Sequence, residues 1–562
     1  MNSERPSPPA ELPVATGAAS RRKQSRFPMN STRWLALHGW VGMAFGLWLF
    51  LICFSGAFAV FSYEIDWLLD ERRRSPGAKP GEVNWEAVKN ELDSQFPYHR
   101  INYISGPRHD GFAVQAYANR ADGFGSKIFI DPKNGKLLGE SSFYDVQRFF
   151  RSLHRNLFNG RMGIFVVTCF AWVLLLATVS ALFFLKRWWR GLFRLRRSAR
   201  RPWLSLIREG HRLAGLWSLP LGALIAATGL WYQMELVAPF SEPRGRIEEA
   251  KMENRPPTVE LANLNKLARR SESAIPGLTV NVLYHQGPHA PLGFAGHRQW
   301  WARERANAVQ FDPVSGKQLH AHRAGELGVH GIISNAADPL HFGTFGGLPS
   351  QVLWFLGGLI LSALPLTGSV MWYRRHLAGR ERENLGRPGR MGLRAVPVAT
   401  VALFIWIAFG ALDEADYYFA DGQSASVTAT RELGPWKAEL LRYESSGSTP
   451  QYGVKFSTAA HAHPLVADAT WHVNGKQTTS AEPNGSLWWA TLPESLAGKT
   501  LRFGAQTPRG EWHFTEVRGE ELLAAGRSLP EVPMPRDYVW TVSALFSVLC
   551  LVVTGAWLRY LR

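Results

Sequence analysis

Six apolar stretches set the terms on which this chain folds. They run over Trp34–Tyr63, Met162–Leu185, Leu213–Met234, Val352–Tyr373, Ala395–Leu412 and Tyr538–Leu558. Each reaches or approaches the ~18–20 residues a helix needs to cross the hydrocarbon of a bilayer. In lipid the backbone must satisfy its own donors and acceptors, so runs of this length cross as helices. The expected fold class is an α-helical membrane protein. The fifth stretch is the weakest, being short and carrying Pro397 in its first turn. No cleavable signal peptide is expected, because the first apolar run is long and lies behind a polar leader rich in Ser, Pro and Arg.

A formal charge of +18 invites a nucleic-acid reading, and its distribution argues against one. Arg21, Arg22, Lys23, Arg26 and Arg33 precede the first span, and Lys186, Arg187, Arg190, Arg194, Arg196, Arg197, Arg200 and Arg201 follow the second. Arg374, Arg375, Arg380, Arg382, Arg387, Arg390 and Arg394 follow the fourth. These are alternate loops, as the positive-inside rule requires. Both termini are expected in the cytoplasm, with three long segments on the outer side and no nucleic-acid partner. The resulting order is a leader over 1–30, then spans over 31–63, 151–186, 209–234, 339–374, 395–412 and 538–562, the last with a short cytoplasmic tail. Cytoplasmic loops cover 187–208 and 375–394, and outer domains cover 64–150, 235–338 and 413–537. The three cysteines, Cys53, Cys169 and Cys550, all fall within spans. With no CxxC or CxxCH, thiolate zinc sites, ordinary iron–sulfur clusters and covalently attached c-type haem are excluded.

The first 376 residues read as a unit repeated twice. "LHRNLFNG" (Leu153–Gly160) returns as "LHFGTFGG" (Leu340–Gly347), and "HGWVG" (His38–Gly42) returns as "HRLAG" (His211–Gly215). Gly56 and Gly229 stand at equivalent places further along spans one and three. In the outer domains "FIDPKNGKLLGE" (Phe129–Glu140) matches "QFDPVSGKQLH" (Gln310–His320), a strand–turn–strand whose Pro sets one φ and whose Gly permits a positive one. "NWEAVKNELDSQFP" reads as an amphipathic helix, with "FAVQAYANR" and "SKIFIDP" as strands. The second copy follows with "TVELANLNKLARRSES" as helix, then "LTVNVLYHQ" and "NAVQFDP" as strands. Each outer domain is thus expected to be a small α+β unit. Residues 413–537 alternate apolar and polar residues between turn signals, which suggests an antiparallel sheet or β-sandwich with a structural or docking role.

These landmarks resemble the PepSY-associated transmembrane family over roughly residues 30–380. The likeness is carried by both Asp-Pro-x-x-Gly-Lys hairpins, both LHxxxFxG motifs and the HxxxG openings of spans one and three. The resemblance implies a bacterial inner-membrane haem protein with periplasmic PepSY-like domains, often linked to iron uptake and reduction of ferric siderophores. The last two spans and the third outer domain lie outside the four-span pattern of that family.

The residues point the same way. Two imidazoles bound trans to one haem iron leave no open position, which favours electron transfer over oxygen chemistry. Such a site needs two histidines on facing helices at one depth. His38 and His211 both enter from the cytoplasmic side, while His154 and His341 both precede spans that begin on the outer side. The expected pairs are therefore His38 with His211 and His154 with His341, holding two haem b groups, one near each face. A lone histidine at a span end is more often an interfacial residue; repetition at equal depth is what favours ligation. His285, His289, His320, His322 and His330 lack counterparts in the first repeat and read as solvated, although His320, His322 and His330 could serve a substrate or metal. His376, beside Arg374 and Arg375, reads as a cytoplasmic surface residue. One geometric difficulty stands out: a continuous helix from His154 to Lys186 would measure about 48 Å against a hydrocarbon core of about 30 Å. His154 would then lie outside the hydrocarbon or on a bent segment.

The function expected is that of a membrane oxidoreductase passing electrons outward to a ferric chelate or siderophore. No cytoplasmic segment carries a GxGxxG in a βαβ context, so the donor is a separate flavoprotein or quinol. The alternative is a haem-free membrane protein whose outer domains bind or restrain a periplasmic partner such as a peptidase. Transport is disfavoured, because the spans lack buried acidic residues and paired broken helices.

Overall fold

The computed structural model describes residues 31–121, 123–185, 191–193, 202–238, 255–285, 290–376, 387–419, 424–444, 449–458, 462–474, 476–480, 482–484, 487–492, 496–531 and 533–561. The leader, the basic residues between Lys186 and Arg201, and His289 lie outside the described residues. The first half runs from α1 (Ser31–Val60) through α2 (Ser62–Leu69) and α3 (Trp85–Gln95). Strands β1 (Arg100–Ser105), β2 (Val114–Asn119), β3 (Gly125–Ile130) and β4 (Leu137–Ser142) follow, then α4 (Val146–Asn156) and α5 (Gly160–Phe184). The second half keeps this order: α6 (Pro202–Val237), a short β5 (Thr258–Val259), α7 (Leu264–Ala274), and strands β6 (Thr279–Tyr284), β7 (Leu292–His297), β8 (Ala308–Phe311) and β9 (Gln318–His322). It closes with α8 (Val329–Phe342) and α9 (Gly347–His376).

The last third opens with α10 (Arg387–Phe419) and continues through β10 (Ser424–Leu433), β11 (Trp436–Glu444), β12 (Gln451–Ser457), β13 (His463–Pro464), β14 (Asp468–Val473) and β15 (Lys476–Ser480). After these come β16 (Glu482–Asn484), β17 (Leu487–Thr491), β18 (Thr500–Gln506), β19 (Trp512–Arg518), α11 (Gly519–Leu523), β20 (Arg527–Ser528) and finally α12 (Asp537–Leu561).

Among the described residues, six helices are long and apolar enough to cross a membrane: α1, α5, α6, α9, α10 and α12. Helix α10 begins well before the apolar stretch, so Pro397 lies inside it and not in its first turn. The chain from 151 to 186 is also not one continuous helix, because α4 and α5 are separate helices joined by a short break; α8 and α9 divide the 339–374 segment in the same way. Helices α1 and α6 each pack along both α5 and α9, closing a four-helix ring. Helices α10 and α12 lie outside it, against α1, α4 and α9. A Cβ on Gly358 of α9 would stand 2.9 Å from Cβ of Ala57. Small residues thus let α1 and α9 approach closely, as helices in lipid do.

The first two non-membrane segments differ from two independent units. Their strands join into one eight-stranded antiparallel sheet, ordered β4-β3-β2-β1-β6-β7-β8-β9. The join is the antiparallel pair β1–β6, with Ile104 opposite Leu283 and Ser105 opposite Val282. One apolar core runs beneath both halves, including Trp85, Ile104, Leu283, Phe294 and Phe311. The helix expected over "TVELANLNKLARRSES" starts later, since Thr258 and Val259 instead pair with His463 and Pro464. In both Asp-Pro-x-x-Gly-Lys hairpins the Asp carboxylate holds the turn. Asp131 accepts from the amides of Lys133 and Asn134, and Asp312 from those of Val314 and Ser315. Gly135 and Gly316 take the positive φ of 75° and 65°. The motif therefore builds hairpins.

The third segment forms two antiparallel sheets, β16-β17-β12-β11-β10-β20 and β15-β14-β18-β19. They close on a common core that includes Trp436, Phe456, Trp471 and Phe503. This unit docks on the other two: Trp436 Nε1 donates to the Pro257 carbonyl at 2.9 Å, and Tyr98 Oη donates to Glu439 at 2.9 Å.

Candidate functional site

The LHxxxFxG motif places a histidine on the last turn of a short helix and then breaks the helix. In the first copy Leu157 and Phe158 take φ of 49° and 60°, and Gly160 takes 50°. Two successive non-glycine residues in this region are strained, and burial of both side chains in the apolar cluster around Phe150 and Phe546 offsets the cost. In the second copy Gly343 and Gly347 take φ of 70° and 64°. The final Gly of the motif thus turns the chain in both.

This break resolves the length difficulty. His154 ends α4 packed against α1, where a Cβ on Gly56 would stand 2.6 Å from its Cε1. Along α1 from His38 to Ile52, which holds His154, the helical rise gives about 21 Å. Along α6 from His211 to Thr228, which holds His341, it gives about 26 Å. Both lengths fit inside a hydrocarbon core of about 30 Å.

The structure brings His38 to His211, with ring centroids 6.3 Å apart, and His154 to His341, at 6.1 Å. Neither pair is hydrogen-bonded to itself; each ring instead uses Nδ1 on a neighbouring helix. His38 Nδ1 lies 3.0 Å from the Ala177 carbonyl, and His154 Nδ1 lies 2.9 Å from the Ile52 carbonyl. A carbonyl only accepts, so both Nδ1 atoms carry the proton. His211 Nδ1 is 2.9 Å from Thr367 Oγ1, and His341 Nδ1 is 2.7 Å from Thr228 Oγ1. Those hydroxyls donate to the carbonyls of Ala363 and Leu224, each at 2.9 Å, so toward the imidazoles they accept. All four rings are therefore held as the Nδ1–H tautomer. Among the described residues no hydrogen bond reaches any of the four Nε2 atoms, so each keeps its lone pair unengaged.

The other histidines do not join them. His330 lies on α8, not in a loop, with its ring tilted against Trp231 at a centroid distance of 5.3 Å. His285 is buried, also against expectation, and burial with Lys89 and His463 nearby holds its imidazole well below the usual pKa. His320 and His322 lie on β9. Among the described residues there is no group of three or more His, Cys, Asp or Glu that could hold a metal ion. The side chain of His376 lies outside the described residues.

Sequence reasoning passed over a buried ionic cluster that fixes α4. Asp145 caps α4 through the Arg148 amide at 2.9 Å and pairs with Arg73 at 2.7 Å and with Lys127. Asp66 accepts from the Val146 and Gln147 amides at 3.2 and 2.9 Å and from Tyr538 Oη at 3.1 Å. Asp66, Arg73, Lys127 and Asp145 are all buried. The only sequence signal was an Asp immediately before an amphipathic helix. Burial and the Asp145 charge push Asp66 up to about 6 from its ordinary 3.8, while Lys127 and Arg73 hold Asp145 low against its burial. An acid with a higher pKa folded than unfolded keeps an extra proton in the folded state. The Asp66 contribution to stability is thus present in acid and lost as pH rises from 3.8 to about 6. Asp66→Asn is expected to flatten that part of a plot of melting temperature against pH, measured on the purified protein.

A multi-pass membrane bundle that holds two facing imidazole pairs defines the class. The chain belongs to the family described as the PepSY-associated TM region, whose model matches residues 35–375. No curated protein matches the chain.

The resemblance implies haem, and the residues fit it on three counts. Two imidazoles on opposite sides of one metal, with bonds of about 2 Å, hold their centroids about 6 Å apart, the spacing of both pairs. Each pair supplies only two nitrogens, too few for a bare ion, which takes about four ligands; a tetrapyrrole brings its own equatorial nitrogens. Room is present at the His38–His211 pair: one turn beyond His38, a Cβ on Gly42 would meet nothing within 4 Å, and one beyond His211, at Gly215, would meet only Leu364 at 3.9 Å. The hydroxyls of Thr228 and Thr367 orient their imidazoles as outer-shell partners do. Thr228→Val and Thr367→Val are each expected to weaken cofactor retention about 10–100-fold at their own pair, as read by titration.

Proposed function

We propose that the chain is an inner-membrane b-type haem oxidoreductase that carries electrons across the bilayer to an acceptor on the side bearing the sheets. The observation that carries this reading is the pairing of the four histidines, with ring centroids 6.3 and 6.1 Å apart and every Nδ1 engaged on a neighbouring helix. His38 and His211 would hold one group, and His154 and His341 the other. Haem bound by two imidazoles supplies one-electron chemistry with no open coordination position. The four side chains fix ring orientation, and the apolar helices around them exclude water. Distribution of Lys and Arg favours cytoplasmic termini and periplasmic sheets. The acceptor class is a ferric chelate such as a siderophore, and the donor a cytoplasmic flavoprotein or quinol.

Proteoliposomes test the transmembrane step. With ferricyanide trapped inside and ascorbate outside, ferricyanide should bleach in vesicles containing the protein and not in those containing His38→Ala/His211→Ala. Equal rates in both sink the proposal.

A further inference from the structure

Helix α4 carries two arginines one turn apart, Arg151 and Arg155, beside the sheet-side histidine pair. Both are exposed, and neither makes an ion pair or hydrogen bond among the described residues. The nearby opposite charges are already engaged. Asp338 accepts from Tyr232 Oη at 2.8 Å and pairs with Arg303 at 2.7 Å, while Glu414 pairs with Arg148 at 3.0 Å. Arg155 nonetheless stands within electrostatic reach of Arg151, Arg148, Asp338 and Tyr232, and the Tyr232 ring lies 5.3 Å from that of His341. An uncompensated positive field therefore adjoins the His154–His341 gap.

The motif itself does not require these cations. In the second LHxxxFxG copy the equivalent positions are Asp338 and Phe342. Like charges one helical turn apart are mildly destabilising. The helix dipole favours a cation in the last turn, which accounts for Arg155 and not for Arg151. Two guanidinium forks on one face match the paired oxygens of a carboxylate.

We propose that Arg151 and Arg155 form an anion site that takes a carboxylate beside the His154–His341 pair. The carboxylate has two possible sources: a propionate of the porphyrin, which rests on the haem reading above, or an arriving iron chelate, which does not.

Three forms of the full chain test this: wild type, Arg151→Gln/Arg155→Gln and Arg151→Lys/Arg155→Lys. In one arm, haem-free protein is titrated with haem b and with its dimethyl ester, which lacks the propionate charges. A propionate partner predicts that wild type binds the ester about tenfold or more weakly, that the Gln form binds both alike, and that the Lys form recovers part of the difference. In the second arm, ferric citrate is titrated against each form. A chelate partner predicts a loss of about tenfold or more in the Gln form alone. Either result supports the site and names its source. A Gln form that matches wild type in both arms overturns it, as does an effect confined to binding of phosphatidylglycerol vesicles, which assigns the arginines to lipid headgroups. Protein that takes up neither porphyrin sinks the haem reading and leaves the citrate arm to decide the anion site.

Discussion

If the four histidines hold haem as proposed, His154→Ala and His341→Ala are each expected to remove one haem signal and leave the other, taking the haem content from about two per chain to about one. The independence follows from the partners. The sheet-side pair is oriented by Ile52 and Thr228, and the other pair by Ala177 and Thr367. About 21 Å of α1 and about 26 Å of α6 separate them. Each truncation would leave its pair with a single imidazole to hold the group, while the distant pair keeps both rings and both hydrogen bonds. His38→Ala and His211→Ala should remove the complementary signal. Haem content by pyridine haemochrome together with low-temperature difference spectra separates the two. If every single substitution leaves the spectrum intact, these histidines are not the ligands.

Asp145→Ala is expected to be the most destabilising single change outside the membrane bundle. It leaves the Lys127 ammonium fully buried with only Gln147 Oε1 at 3.3 Å, and it strips Arg73 of its closest carboxylate. Breaking a buried ion pair from one side costs about 3–5 kcal/mol, and loss of the α4 cap adds about 1 kcal/mol. Asp145→Asn keeps a capping oxygen and removes the charge, so it isolates the ionic part. Adding Lys127→Met to Asp145→Ala should recover part of the loss, because the stranded charge then disappears. Thermal unfolding in detergent measures all three. A melting point for Asp145→Ala within the scatter of wild type contradicts this account of the cluster. Because the cluster anchors the start of α4, these variants also loosen His154 at its end.

What could be read from the sequence was what repeats or runs long. Apolar stretches of span length announce their helices, and equal depth of the paired motifs anticipates which histidines meet. The hairpins were legible too, because Pro and Gly mark a turn, although the capping role of Asp131 and Asp312 was not recognised.

The remainder depends on neighbours far away in the chain. Nothing in the alternation of β1 or β6 distinguishes an open edge from an inner strand, so one continuous sheet was hidden in two similar segments. The helix break after His154 rests on Leu157 and Phe158 at positive φ, residues that give no sign of it. Asp66, Arg73, Lys127 and Asp145 converge from four places, and no local pattern joins them. Thr228 and Thr367 carry no local sign of their role, which comes only from the helix register that sets each against an imidazole.

The central claim is that the four histidines hold haem between facing helices. The most direct measurement is a reduced-minus-oxidised spectrum of the protein purified from haem-sufficient cells, with haem quantified against chain. The account predicts a reducible, low-spin b-type spectrum and about two non-covalent haems per chain. A colourless protein would contradict it.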